Sequence, residues 1–248
     1  MEQASVLEAQ GAHDNNLLAC LRAADLEFLK PIWEVRSAQE GEVFFDPGQP
    51  VDLTYFPCGG SLVSFRVLLP DGGVVETGLV GREGAVGGIV SHGHLPAFAR
   101  AIVQYPGIFL KIRTSMLEEA KRRSPVINNL FARYADCLLA QVFQATACNA
   151  SHSIEQRTAK WILAAMDRTG DHTVPLTQEQ LAGMLGVGRS YINRVLASWK
   201  LEKIVEWRRG QLRIDNLDAL RRHQCSCNDA VRSHFDQVLK GVYPEPEA

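Results

Sequence analysis

The sequence predicts an α+β protein: an N-terminal β-roll or jelly roll, then a long helix, then a C-terminal winged helix-turn-helix. Three observations carry that expectation. Short β-branched and aromatic runs alternate with turn residues from Gly41 to about Leu110. From about Thr114 to Ala150 the apolar residues recur at helical spacing. Residues 176–214 then combine a helix-start signature, a glycine turn, a two-faced helix and a basic hairpin.

Taken in order, residues 1–16 are polar and read as a flexible N-terminus. Leu17, Leu18, Leu21, Leu26, Phe28 and Leu29 suggest one or two short helices that stop before Pro31. Strands are expected at Val43–Phe45, Leu53–Phe56, Leu62–Leu69, Val74–Val80, Ala99–Val103 and Ile108–Ile112, many and short, as in a sandwich, barrel or roll. Pro70-Asp71-Gly72-Gly73 is a turn, since proline fixes φ and glycine supplies positive φ. Residues 17–113 are therefore expected to form one such β-rich domain. Residues 114–150 follow as one helix carrying the stripe Ile127, Phe131, Tyr134, Leu138, Val142 and Ala145. A stripe that long predicts a dimer seam, because a small roll cannot cover it all. Residues 149–153 read as a hinge, with a further helix from about Ile154 to Met166. The winged module then extends over 151–222, and a C-terminal helix and tail over 223–248.

Composition excludes several classes. Hydrophobic residues make up 46% and charged residues 22%, ordinary for a globular chain and unlike a disordered or fibrous one. No apolar run is long enough to cross a bilayer and no signal-peptide order opens the chain, so a cytoplasmic location is expected. Net charge is −2, but its distribution is uneven. Residues 1–150 hold twelve Lys/Arg against sixteen Asp/Glu, and residues 151–240 fourteen against ten, which suits a DNA-facing second half. The six cysteines are scattered. Cys225 and Cys227, with His223 and His234 near, allow a metal site to be drawn. The sequence reading instead takes the cysteines as reduced side chains packed in a helix, and assigns no metal and no cofactor.

The chemistry concentrates in residues 176–214. Thr177-Gln178-Glu179-Gln180 fits a capping box, with Leu176 and Leu181 placed as a hydrophobic staple. Gly186 stands where a left-handed residue should end the first helix. In the second helix Ile192, Val195, Leu196 and Trp199 share one face, and Arg189, Ser190, Asn193, Arg194 and Ala197 share the other, with Tyr191 at its border. Arginine can engage guanine O6 and N7, and asparagine adenine N6 and N7, each through two hydrogen bonds. Base readout is accordingly expected from Arg189, Ser190, Tyr191, Asn193 and Arg194. Phosphate contact is expected from Thr177 and Gln178, and from Arg208 and Arg209 on a hairpin formed by 204–207 and 212–214.

With those residues in view, the chain resembles the Crp/Fnr family of bacterial transcription regulators from about Leu17 to Leu220. The carriers are Tyr55-Phe56-Pro57 with Gly60-Ser61-Leu62-Val63-Ser64, Gly78 to Gly84, and the module opening Leu176-Thr177-Gln178-Glu179. The resemblance implies a cyclic-nucleotide-binding-like sensor, a homodimer through the long helix, double-stranded DNA as ligand, RNA polymerase as a partner, no membrane and no enzymatic activity. It also implies DNA contact by an arginine at the start of the recognition helix and another five residues later, the places of Arg189 and Arg194. The ligand site departs from the family pattern. Where cyclic-nucleotide binders carry Gly-Glu and Arg-Ser or Arg-Thr pairs, this chain has Gly87-Gly88 and Ala97-Phe98, so the usual cyclic AMP contacts are missing and the effector is unknown. Two rival readings remain. One is a partner-binding module on the same fold that has lost DNA contact. The other is a cupin-like metal enzyme built on His92-x-His94, which lacks the following glutamate.

Overall fold

The computed structural model describes residues 14–70, 72–89, 95–169, 172–208 and 211–243. The N-terminal part contains β1 (Trp33–Ala38), β2 (Val43–Phe45), β3 (Leu53–Pro57), β4 (Leu62–Leu68), β5 (Val74–Val80), β6 (Arg100–Tyr105) and β7 (Gly107–Arg113), preceded by α1 (Ala23–Leu29). They form two antiparallel sheets, β1-β7-β3 and β2-β6-β4-β5. Between the sheets lie Phe45, Tyr55, Val63, Val80, Val86, Val103 and Phe109, with the Phe44 ring stacked on Tyr55 at 3.8 Å. Six strands fall where alternation and turn residues placed them. β1 was not foreseen, because its burial along Trp33–Ala38 runs buried at both ends and open between, without period-two alternation.

The expected single helix over 114–150 is two: α2 (Thr114–Arg123) and α3 (Pro125–Ser151). Pro125 holds Ser124 extended, at φ −119° and ψ 110°, and the Ser124 hydroxyl accepts the Ile127 N–H to start α3 afresh. The stripe on α3 also needs correction. Ile127, Phe131 and Tyr134 are at most 1% exposed within the protomer, packed with Phe56 and Leu110 of the roll, Leu117 of α2 and Phe235 of the C-terminal helix, so they cannot meet a second chain. Leu138 is half-buried against the same cores, and Ala145 is half-buried too. Of the expected stripe only Val142 is open; it is joined by Leu139 and Phe143, at 50–64% exposure.

Tyr134 fixes α3 on the roll. Its hydroxyl accepts the Ala85 N–H and donates to the Ala85 carbonyl, both at 3.0 Å. Gly84 is required beside it, since a Cβ there would stand 2.1 Å from the tyrosine oxygen. After α3 come α4 (Ile154–Thr169), β8 (Thr173–Pro175), α5 (Gln178–Leu185), α6 (Arg189–Leu201), β9 (Val205–Arg208), β10 (Gln211–Ile214), α7 (Leu217–His223) and α8 (Cys227–Lys240). β8, β10 and β9 form a three-stranded antiparallel sheet, one strand more than the expected hairpin. α8 returns along α3: Phe235 meets Tyr134 edge-on, Arg133 donates to the Val238 carbonyl, and Asn129 donates to the Val242 carbonyl. Beyond it the Tyr243 hydroxyl donates to Asp25 of α1 at 2.6 Å. No helix among the described residues is long and apolar enough to cross a membrane.

The two halves are docked. Leu62 and Leu79 from the roll enter the apolar core of the C-terminal module. Arg168 of α4 pairs with Glu83 at 2.7 Å. The Glu76 carboxylate on β5 accepts the Trp161 indole N–H of α4 at 2.6 Å and the Ser64 hydroxyl at 2.7 Å. Burial raises the Glu76 pKa to about 7, against the pull of those two donors and of the Arg66 and Arg168 charges. The folded state thus holds this proton more tightly than the unfolded chain. Stability from it is complete below the ordinary carboxylate range and is lost as pH rises through about 7. Glu76→Gln, which cannot ionise, is expected to flatten the fall in melting temperature between about pH 5 and about pH 8 in thermal melts. An unaltered pH profile would show that this carboxyl is not buried at the junction.

Candidate nucleic-acid interface

The module over α4 to α7 is built around one core: Ala159, Ile162, Leu163 and Met166 of α4, Leu181, Ala182 and Leu185 of α5, Ile192, Val195, Leu196 and Trp199 of α6, and Leu212 and Ile214 of β10. α5 begins as expected. The Thr177 hydroxyl accepts the Gln180 N–H at 3.1 Å, and the Gln180 side chain accepts the Thr177 N–H at 2.6 Å. Leu176 and Leu181 are both buried beneath that turn. Gly186 ends α5 at φ +65° and ψ 38°, a conformation that costs a glycine little. Arg157 of α4 donates to the Leu185 carbonyl at 2.8 Å, placing a cation at the negative end of α5.

α6 then presents its two faces. Ile192, Val195, Leu196 and Trp199 are buried, and Arg189, Ser190, Tyr191, Asn193, Arg194 and Ala197 are exposed. The Arg194 guanidinium lies over the Tyr191 ring at 4.8 Å, one helical turn apart, which pre-orients it along the helix. Among the described residues neither Arg189 nor Arg194 forms an ion pair. Thr177 is exposed and Gln178 half-buried at the start of α5, on the approach to the same surface. Of the wing, the Arg208 backbone pairs with Gln211, while the Arg208 side chain and all of Arg209 lie outside the described residues.

Behind α6 a polar clamp sets its tilt. Glu155 of α4 accepts the Trp199 indole N–H at 3.2 Å and pairs with His223 of α7 at 2.9 Å. Sequence reasoning named His223 only as a metal candidate; its place is this clamp, and His234 is half-buried on α8. The way α6 stops after Leu201 was not foreseen. Lys203 takes φ +57°, and the Ile204 N–H reaches back to the Trp199 carbonyl at 2.8 Å, a Schellman-type stop that usually employs glycine.

On the roll, Arg100, three residues beyond Ala97, is paired with Asp46. Gly87 stands where a Cβ would meet the Leu53 carbonyl at 2.6 Å. His92 and His94 of the cupin reading lie outside the described residues. A cavity of about 500 Å³ opens between the halves, lined by Glu76, Arg82, Gln141, Trp161, Arg168 and Arg232 among others.

Residues 156–223 match the family described as the Crp-like helix-turn-helix domain. Among solved structures, the fold is similar to FixK2 from Bradyrhizobium japonicum: TM-score 0.66 at 15% identity, covering 78% of this chain and 98% of that one. It is similar to CLP of Xanthomonas campestris, described as a c-di-GMP-responsive global regulator (0.64, 16%, 78% and 99%). It is also similar to TTHB099, a CRP-family transcriptional regulator from Thermus thermophilus (0.64, 18%, 76% and 95%). Among curated protein sequences none matches.

Two substitutions probe how α5 and α6 are held. Thr177→Ala is expected to cost about 0.5–2 kcal/mol through the lost cap. Lys203→Gly is expected to add about 0.5–1 kcal/mol by relieving the left-handed lysine. Denaturant titration checks both, and opposite signs for the pair are the diagnostic result.

Proposed function

We propose that this chain, which carries a Crp-like helix-turn-helix domain on the fold of the Crp/Fnr regulators, is a cytoplasmic, sequence-specific, homodimeric regulator of transcription. The single observation that carries the reading is the split of α6. Its apolar residues are spent on the core, while Arg189, Ser190, Tyr191, Asn193 and Arg194 face outward. Lying in a major groove, that face offers donors for guanine and for adenine, and the start of α5 with the wing offers groups for phosphate. RNA polymerase is the partner such a regulator would engage. The reading is of a binding protein, because what this face offers is hydrogen-bond donors matched to base edges.

A dimer is supported by Leu139, Val142 and Phe143. They stand at spacings of three and four on the free face of α3, and are the helix's most exposed large apolar residues. The seam lies on this side and in the C-terminal half of α3, offset from the stripe the sequence suggested. Two parallel copies of α3 joined there would carry two α6 helices toward successive grooves of a roughly palindromic site. An effector, where one acts, would meet both halves in the cavity between β5, α3 and α4. The Arg100–Asp46 pair and the close packing at Gly87 weigh against cyclic AMP in its usual pose.

Selection of binding sites from random duplexes, followed by anisotropy titration, tests the assignment. Arg189→Ala and Arg194→Ala are each expected to weaken the selected site by about 1–3 kcal/mol and to broaden sequence preference. Arg208→Ala is expected to weaken all duplexes alike and to reduce the salt slope by about one. Unchanged selectivity in both helix variants would favour the partner-binding alternative. Sedimentation addresses the seam: Val142→Asp with Phe143→Asp is expected to give a monomer that loses the selected site. A variant that stays dimeric would move the seam elsewhere.

A further inference from the structure

Three of the six cysteines are set apart from the rest. Cys58 and Cys137 pack within the main core of the roll and α3, as small apolar residues do. Cys148, Cys225 and Cys227 are also buried, at 5% exposure or less, yet they form a cluster of their own. Thiols that merely filled space would be surrounded by aliphatic side chains. These three face one another and a histidine.

Cys148 lies in the last turn of α3 and His152 caps that turn, its N–H donating to the Cys148 carbonyl. Cys225 and Cys227 flank Ser226 where α7 hands over to α8, and α8 lies against α3. The Cys148 and Cys225 sulfurs are 3.7 Å apart, and the Cys227 sulfur is 3.7 Å from His152 Nδ1. All four ligand atoms lie within 4.8 Å of one another. For one tetrahedral ion with metal–sulfur bonds of about 2.3 Å and metal–nitrogen bonds of about 2.0–2.1 Å, the expected separations are about 3.8 Å between sulfurs and about 3.6 Å from sulfur to nitrogen. An iron–sulfur cluster places several irons between its ligands and would hold its thiolates further apart. The Gln144 amide adds a hydrogen bond to the Cys227 sulfur at 3.1 Å, of the kind that orients a ligating thiolate.

We propose that Cys148, His152, Cys225 and Cys227 bind a single thiophilic divalent ion, zinc by donor set and geometry. The site differs from the one drawn on the sequence: it keeps Cys225 and Cys227 but takes Cys148 and His152 from α3, and neither His223 nor His234 belongs to it. Binding exchanges three thiol protons for one metal ion, with the histidine neutral, so the protons pass to solvent and no oxidant or reductant is needed. The ion closes a loop of the chain from the end of α3 to the start of α8. Everything from the hinge at His152 through the helix-turn-helix to α7 lies inside that loop. The site thus sets how the module hangs from the long helix.

The test uses the full chain, purified under reducing conditions from zinc-supplemented medium. Elemental analysis is expected to give about one zinc per chain. Cys225→Ser and Cys227→Ser should lose most of it, and Cys20→Ser, outside the cluster, should keep it. Because a cysteine variant can fail to fold, a second measurement uses the unaltered chain. After chelation, titration with Co²⁺ is expected to give the strong visible bands of a tetrahedral thiolate complex, saturating at one equivalent and displaced by zinc. Chelation should also lower the melting temperature, and zinc but not magnesium should restore it. Absence of bound zinc together with no cobalt spectrum overturns the proposal. So does inorganic sulfide with iron in the purified protein, or a Cys148–Cys225 disulfide whose reduction yields no metal uptake. None of these readouts measures DNA affinity, so failure of the site and failure of the regulator reading are distinguishable.

Discussion

One helix has to satisfy several neighbours with a single apolar face. The first half of α3 turns Ile127, Phe131 and Tyr134 into the roll and against α8, and the hydroxyl of Tyr134 seats itself on the Ala85 peptide. Once that register is set, little else is free. The side bearing Leu139, Val142 and Phe143 is the one left open, the hinge falls at His152, and α4 starts where Trp161 can reach Glu76. A slip of one residue along α3 would turn the tyrosine away from Gly84, where only hydrogen leaves room for it.

The same logic explains what could be read from the sequence and what could not. Local chemistry was legible: the Thr177 cap, the Gly186 turn, the two faces of α6 and most strands follow from interactions within a few residues. The stripe on α3 was legible as apolar, but periodicity says that a face is buried and not by what. Its partner α8 is roughly a hundred residues away in sequence. The clue was present in the spacing of Cys227, Val231, Phe235 and Val238, which marks α8 as an amphipathic helix needing a surface to cover. The break at Pro125 was equally available, since proline disfavours helical geometry in the residue before it. β1 and β8 carried no such signal, because each is held by its neighbours in a sheet more than by its own pattern.

Electrostatics divide along the same lines. Carboxylates at the junction of the halves are used inward, Glu76 toward Trp161 and Glu83 toward Arg168, and Glu155 serves the back of α6. The outward face of α6 carries cations that no carboxylate among the described residues claims. A protein of nearly balanced charge can therefore present a cationic surface by committing its acids to internal hydrogen bonds.

The return of α8 along α3 has a consequence in time as well as space. Phe235 and Tyr243 are synthesised after the whole DNA-reading module, yet the surfaces they complete, beside Tyr134 and Asp25, belong to the part made first. As the chain emerges, the roll must wait with an uncovered flank while roughly a hundred further residues are added, at about 5–20 per second. Maturation of the earlier half is thereby gated by translation of the later one, and a transcript cut short after the wing would yield a helix-turn-helix module attached to an unfinished roll.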